Sequence, residues 1–172
     1  GYRDSLIPLN QERYLLPPLI IAKMIQALDI QNHEKVLDLA CGTGYTTCIL
    51  SCLARKVYAI DRFPDLIERA QNARSFYETT NVKIWEENDF KNAEKEAPYD
   101  AILISAAVNA VPEKFFDFLK EGGRLVTLIK THPDVGSLTL FKKQNNQLTS
   151  LKFFETNAPV IHEFKQKQTF RF

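Results

Sequence analysis

The chain has 172 residues, 45% hydrophobic and 25% charged, an ordinary balance for one globular unit able to bury a sizeable core. Its 22 Lys and Arg are offset by 21 Asp and Glu scattered among them, a formal net charge of +1, so no surface is built for a phosphate backbone and no nucleic-acid partner is expected. The longest apolar run, residues 15–21, is interrupted by Pro17 and Pro18 and falls short of the roughly 18 residues a membrane span requires, so no membrane partner is expected.

Cys41, Cys48 and Cys52 are an odd, low count that argues against a disulfide framework and fits a reducing, cytoplasmic compartment. Cys48 and Cys52 stack at i,i+4 on a helix and read as two small buried hydrophobes. His33, His132 and His162 do not complete a zinc-ligand pattern with them, so no metal is expected. The chain opens on Gly1 with neither an initiator Met nor a signal peptide, which fits a processed or truncated start.

In chain order, residues 18–28 read as a helix with Leu19, Ala22, Ile25 and Ala27 among its apolar positions. Residues 36–40 (VLDLA) are a short apolar run after a charged turn, the mark of a buried parallel strand. CGTGY follows, and residues 45–54 have helix character. Residues 56–60 (KVYAI) form a second strand with Asp61 at its end. Residues 64–77 form an amphipathic helix with Pro in its first turn, placing Leu66, Ile67, Ala70, Ala73, Phe76 and Tyr77 on one side. Residues 82–85 are a third strand, followed by a loop of Asn88, Asp89 and Phe90. Residues 99–105 are a fourth strand, residues 112–119 a helix stopped by Gly122 and Gly123, and residues 124–130 a fifth strand. Two further strands, 137–143 and 148–156, flank Asn145-Asn146, a turn pair tolerant of positive φ. Strand-helix alternation predicts an α/β fold: a Rossmann-like, doubly wound, mostly parallel seven-stranded sheet ending in an antiparallel hairpin. No internal repeat or linker divides residues 1–172, so a single domain is expected.

The chemistry is carried by VLDLACGTGY followed by VYAID. Gly42 and Gly44 let the backbone pass close to a ligand, and the N–H groups of the helix start face it. A dinucleotide fingerprint would place a third Gly where Thr47 stands. The pattern fits S-adenosylmethionine better. Asp38, inside its strand, can accept from an ammonium; Asp61, about 20 residues on, can accept both ribose hydroxyls; Asp89 can accept from an adenine amino group. Ala40, Cys41, Gly42, Gly44 and Tyr45 would line the turn, Arg62 would flank Asp61, and Phe90 would flank Asp89. The competing structural reading makes Asp38 a helix-capping acid and Asp61 an exposed turn residue.

Methyl transfer from a sulfonium has a neutral leaving group, and an acceptor that is already ionised near neutral pH, as a carboxyl with an ordinary pKa of about 3.9 would be, needs no general base. Positioning and removal of water suffice. No catalytic residue is therefore assigned. Ser105, ending the fourth strand, is a candidate on the acceptor side, with a capping role as its alternative; His132 and His162 are weaker candidates, His33 reads as solvated, and Trp85 reads as core.

Nearly the whole chain resembles the protein-L-isoaspartate O-methyltransferase family. The resemblance is carried by APYDAILISAAVNAVPEKFFDFLKEGGRLV, by the closing NAPVIHEF and by RYLLPPLIIAKMIQAL ahead of the glycine motif. The Tyr-Leu-Leu-x-Pro form and the aromatic tail TFRF are similar to a branch common in alphaproteobacteria. The resemblance implies an enzyme that methylates a carboxylate of isoaspartyl residues in damaged proteins, a protein or peptide partner, and a largely helical segment ahead of residue 1. Three positions depart from the family. Its Thr-Ile-Ser-Gln-Pro, whose Ser hydroxyl contacts the reacting carboxylate, aligns so that Leu16 takes the Ser position and Pro17 the Gln position, and neither side chain can donate a hydrogen bond. Ala40 replaces the first Gly of the cofactor motif. The alternatives are an S-adenosylmethionine-binding protein with lost or altered acceptor chemistry, or a methyltransferase for another small acceptor.

Overall fold

A computed structural model describes residues 5–133 and 135–157. Two short strands, β1 (Ile7–Pro8) and β2 (Tyr14–Leu15), pair antiparallel and precede α1 (Pro18–Leu28). There follow β3 (Lys35–Leu39), α2 (Tyr45–Leu53), β4 (Lys56–Asp61), α3 (Pro64–Phe76), β5 (Val82–Glu86), α4 (Lys91–Glu96), β6 (Tyr99–Val108), α5 (Glu113–Asp117), β7 (Leu119–His132), β8 (Val135–Gln144) and β9 (Gln147–Asn157). The seven-stranded sheet runs β5-β4-β3-β6-β7-β8-β9; the pairings from β5 to β7 are parallel, and β7, β8 and β9 form an antiparallel meander. Because β3 pairs with β4 on one side and β6 on the other, the carboxyl ends of β3, β4 and β6 meet at a topological switch point, where such sheets open a crevice.

The central strands β3, β4 and β6 are buried on both faces, and alternate residues feed two cores. Val36, Val57, Ala101, Leu103 and Val126 pack with Ile20, Ile21, Met24, Ile25 and Leu28 of α1 and Leu50 of α2. Leu37, Leu39, Ile60, Ile102 and Ile104 face the other way, onto Ala93 of α4, Phe115 of α5 and Phe118. Arg124 ties α1 to the sheet. Its guanidinium donates to the carbonyls of Leu28 (2.7 Å) and Asp29 (2.9 Å) at the end of that helix and to both carboxylate oxygens of Glu34 (2.6 and 2.8 Å).

Helix α1 buries Ile20, Ile21, Met24, Ile25 and Leu28 and leaves the apolar Leu19 and Ala22 exposed. Several expectations are corrected. On α3, Leu66, Ile67 and Ala70 are buried, but Phe76 at its end and Tyr77 after it are 80% and 64% exposed. The helix expected over 112–119 is only Glu113–Asp117; Gly122 and Gly123 do not stop it but lie inside β7, which starts at Leu119 by pairing with Tyr99. Cys48 is partly exposed and Cys52 exposed, rather than buried. The hairpin turn is as read: Asn145 and Asn146 both take positive φ, 53° and 57°. His162, NAPVIHEF apart from Asn157, and TFRF lie outside the described residues.

The left-handed glycines differ in what surrounds them. Gly44 (φ +79°) would bring a Cβ within 3.0 Å of Ala70 Cα and Cβ in α3, whereas Gly122 (φ +78°) has nothing within 4 Å. Gly122→Ala should therefore cost only the left-handed backbone strain, about 1–2 kcal/mol, and Gly44→Ala about 1–2 kcal/mol more, as urea midpoints of the two variants would show.

Candidate functional site

The switch-point crevice begins where β3 runs out. Ala40 adopts φ +57° and Gly42 φ +56°, swinging the chain away from the sheet. The turn is tied back by the Cys41 N–H to the Ile60 carbonyl (3.0 Å) and the Gly44 N–H to the Cys41 carbonyl (3.0 Å). α2 then starts at Tyr45, whose ring is exposed. The need for glycine comes from the protein itself: helix α3 crowds Gly44, and at Gly42 a Cβ would stand 3.0 Å from Leu9 Cδ1 of the N-terminal hairpin.

Asp38 is completely buried. It accepts from Thr47 Oγ1 at 2.7 Å and from Ser105 Oγ at 2.9 Å. Burial lifts its carboxyl to about 7; the two hydroxyl bonds pull the other way, and the negative charge of Asp61 adds to the rise. Asp38 is thus no helix cap, and Ser105 does not cap a helix either. Its hydroxyl is committed to Asp38, while the residue lines a small cavity shared with Leu16 and Gly42. Thr47 was not singled out for this bond, although it stands where a dinucleotide fingerprint would carry Gly and so was available to put a hydroxyl on Asp38. Cys41 is buried beside both acids, and burial together with their charges pushes its thiol up, leaving it unsuited to nucleophilic work.

Asp61 is buried at the end of β4, not exposed in a turn. Its Oδ2 accepts from the Gly42 N–H (3.0 Å) and from Arg13 Nε (3.0 Å); its Oδ1 accepts from the Arg62 N–H (2.8 Å) and from Arg13 Nη2 (3.1 Å). Arg13 is the functional residue that the sequence reading missed. Its guanidinium is buried, grips Asp61 with two parallel bonds and lies 4.9 Å from the Phe63 ring centroid. The Arg62 side chain pairs with Glu12 and also lies over Phe63.

Asp89 lies, as read, in the loop after β5, which stops at Glu86; it is exposed there, and the Lys91 ammonium holds its carboxyl below the ordinary value. Phe90 beside it is buried in a left-handed conformation (φ +62°), its ring 5.1 Å from that of Phe115 and 4.0 Å from Lys114 Nζ. Glu87, not singled out, accepts from the Asn92 N–H (3.1 Å) and Ala93 N–H (3.3 Å) and so caps α4. The structure therefore sets two hydrogen-bonded clusters close together, Asp38 with Thr47 and Ser105, and Asp61 with Gly42 and Arg13, with Cys41 buried beside both acids; Asp89 is exposed in the loop after β5. Trp85 stacks on Tyr58 at 5.1 Å, as core, and His33 and His132 are exposed. Leu16 is buried among the α1-side core residues.

Residues 1–161 match the model of the protein-L-isoaspartate(D-aspartate) O-methyltransferase family. The chain is 34% identical over 164 residues to the protein-L-isoaspartate O-methyltransferase of Methanoculleus marisnigri, covering 95% of this chain and 74% of that one. It is 34% identical over 163 residues to the enzyme of the same name from Helicobacter pylori strain G27, covering 94% and 78%. Among solved structures it resembles a protein-L-isoaspartate O-methyltransferase at a TM-score of 0.78 and 24% identity, over 90% of this chain and 51% of that one. It also resembles one from Plasmodium falciparum in complex with S-adenosyl-L-homocysteine at 0.75 and 18% identity, over 94% and 82%. The chain belongs to the protein-L-isoaspartate(D-aspartate) O-methyltransferase family and is a Rossmann-like, S-adenosylmethionine-dependent methyltransferase.

Proposed function

We propose that this chain transfers a methyl group to a carboxylate of isoaspartyl residues in damaged proteins, using the pocket at the carboxyl ends of β3, β4 and β6. The observation that carries the reading is the pair of buried acids, Asp38 and Asp61, on either side of a left-handed glycine turn. S-adenosylmethionine supplies an activated methyl on a positively charged sulfur with a neutral leaving group. Asp61 is the acceptor for the ribose hydroxyls, Asp38 for the ammonium, and Asp89 for the adenine amino group. Ala40, Cys41, Gly42, Gly44 and Tyr45 form the turn beneath the cofactor, with Arg62 and Phe90 at its flanks. An ionised acceptor carboxylate needs no base, so the chain's work is to orient it and to strip water from it.

The acceptor side is apolar. Leu16 presents a buried aliphatic wall, and Ser105 commits its hydroxyl to Asp38. These two facts favour slow isoaspartyl turnover, and they support as a second reading a protein that holds the cofactor with altered acceptor chemistry. We place the chain in a reducing, cytoplasmic setting as one domain with no nucleic-acid partner, on its balanced charge and free cysteines. Among the described residues no helix is long and apolar enough to cross a membrane.

Methyl incorporation into an isoaspartyl peptide, set against its aspartyl twin, tests the reading. A Ser at position 16 would restore a hydrogen bond to a charged carboxylate worth about 1.5–3 kcal/mol, so Leu16→Ser should raise the rate on the isoaspartyl peptide about ten- to hundredfold. If the unmodified chain turns over as fast as Leu16→Ser, with both variants folded by thermal melt, the hydroxyl is dispensable.

Asp38 makes cofactor binding depend on pH. With its carboxyl at about 7, Asp38 is about half protonated at neutrality, and only the ionised form attracts an ammonium. Binding therefore releases a proton, and affinity rises as pH is raised from about 6 to about 7.5, through the carboxyl's own titration range. Calorimetry in buffers of different ionisation heat would detect that proton. Asp38→Asn should abolish both the release and the slope; a slope surviving in Asp38→Asn would assign it to another group.

A further inference from the structure

We propose that Arg13 is an internal ligand of the ribose-acceptor site, and that the cofactor engages Asp61 only by displacing it, so that the N-terminal hairpin gates cofactor entry. The inference rests on the reading of Asp61 as the ribose acceptor.

A carboxylate offers about four acceptor positions. Those of Asp61 meet four N–H donors at 2.8–3.1 Å. Two are the backbone amides of Gly42 and Arg62, fixed by the glycine turn and the end of β4. The other two belong to the Arg13 guanidinium, on a side chain that can move. A ribose diol seeking two hydrogen bonds from this carboxylate must therefore take those two positions. Sterics point the same way. Arg13, Leu9, Leu16, Gly42 and Ser105 help to bound a cavity of about 10 Å³, room for one water and not for a sugar.

The hairpin is built so that it can leave. Its strands pair over only two residues each. Its turn is held internally, by the Leu9 N–H on the Arg13 carbonyl (2.8 Å) and by the Asn10 carboxamide oxygen on the N–H groups of Glu12 and Arg13 (both 2.8 Å). It can thus move as a unit. Among the described residues its ties to the body include the Arg13–Asp61 and Glu12–Arg62 pairs, Arg13 over the Phe63 ring, Leu9 against Gly42, and Leu6 and Leu15 against the α1-side core. Pro17 (φ −53°, ψ 140°) separates it from α1. While the closed hairpin dominates, the apparent dissociation constant is the intrinsic one divided by the open fraction, so weakening the Arg13 contact should tighten cofactor binding.

The experiment is S-adenosylhomocysteine binding by calorimetry to the full chain, Arg13→Lys and Arg13→Ala, with thermal melts to confirm folding. Arg13→Ala is expected to bind about tenfold tighter than the parent, and Arg13→Lys, which keeps the charge but not the two-pronged grip, to fall between. A second measurement does not depend on the variants folding. Trypsin cleavage after Arg13, a buried site in the closed hairpin, should accelerate in the parent as S-adenosylhomocysteine is added. Equal affinities in all three chains, or ligand that slows cleavage at Arg13, would overturn the gate while leaving Asp61 as the ribose acceptor. Absence of binding by any of the three would overturn both.

Discussion

Two carboxylates buried side by side at the ends of neighbouring parallel strands are the constraint around which this protein is arranged. Burying either charge without partners would cost several kcal/mol. The fold answers the two demands differently. Asp38 is supplied with hydroxyls, from Thr47 in the first turn of α2 and from Ser105 on β6, and burial still leaves it readily protonated. Asp61 is supplied with backbone amides and a guanidinium. The left-handed turn at Gly42 aims one of those amides, and the N-terminal hairpin delivers the cation. Much of the local architecture, from the positive φ values to the seating of Leu9, serves these two oxygen pairs.

In the proposed cofactor site this division separates the parts of the two acids. Asp38, with its carboxyl at about 7, would ionise as a cation arrives and so read ligand charge. Asp61, held among N–H donors, would read hydrogen-bonding geometry instead. The glycine turn between them joins the two, since Gly42 donates to Asp61 and the neighbouring Cys41 lies against both carboxylates.

How much of this was legible in the sequence follows from how far each signal reaches along the chain. The parallel strands were legible because burial on both faces writes a continuous apolar run, as in VLDLA and AILI. Asp38, Asp61 and the glycines were legible because they are spaced along one strand-turn-helix-strand unit. Arg13 was not, since its partner lies 48 residues away and a lone Arg in a polar stretch gives no local sign of burial. The end of α5 was misplaced because Gly122 and Gly123 carry a genuine stop signal, yet pairing of Leu119 with Tyr99 begins the strand before them. Phe76 and Tyr77 follow the helical period, yet both are exposed, because periodicity gives a side of the helix and not what covers it.

The Arg124 clamp on the far end of α1 has a mechanical consequence. A helix of 11 residues is about 16 Å long. Its last carbonyls are bolted to the sheet through Arg124 and Glu34, and its flank is packed against β6 and β7. Such a helix is a fixed post rather than a lever. A segment pivoting at Pro17 exerts no torque that the post can pass on, so its movement ends where the post begins. On the proposed gate, the hairpin swings at Pro17 while the helix, clamped by Arg124 and packed on β6 and β7, holds its place against the sheet that carries the two acids.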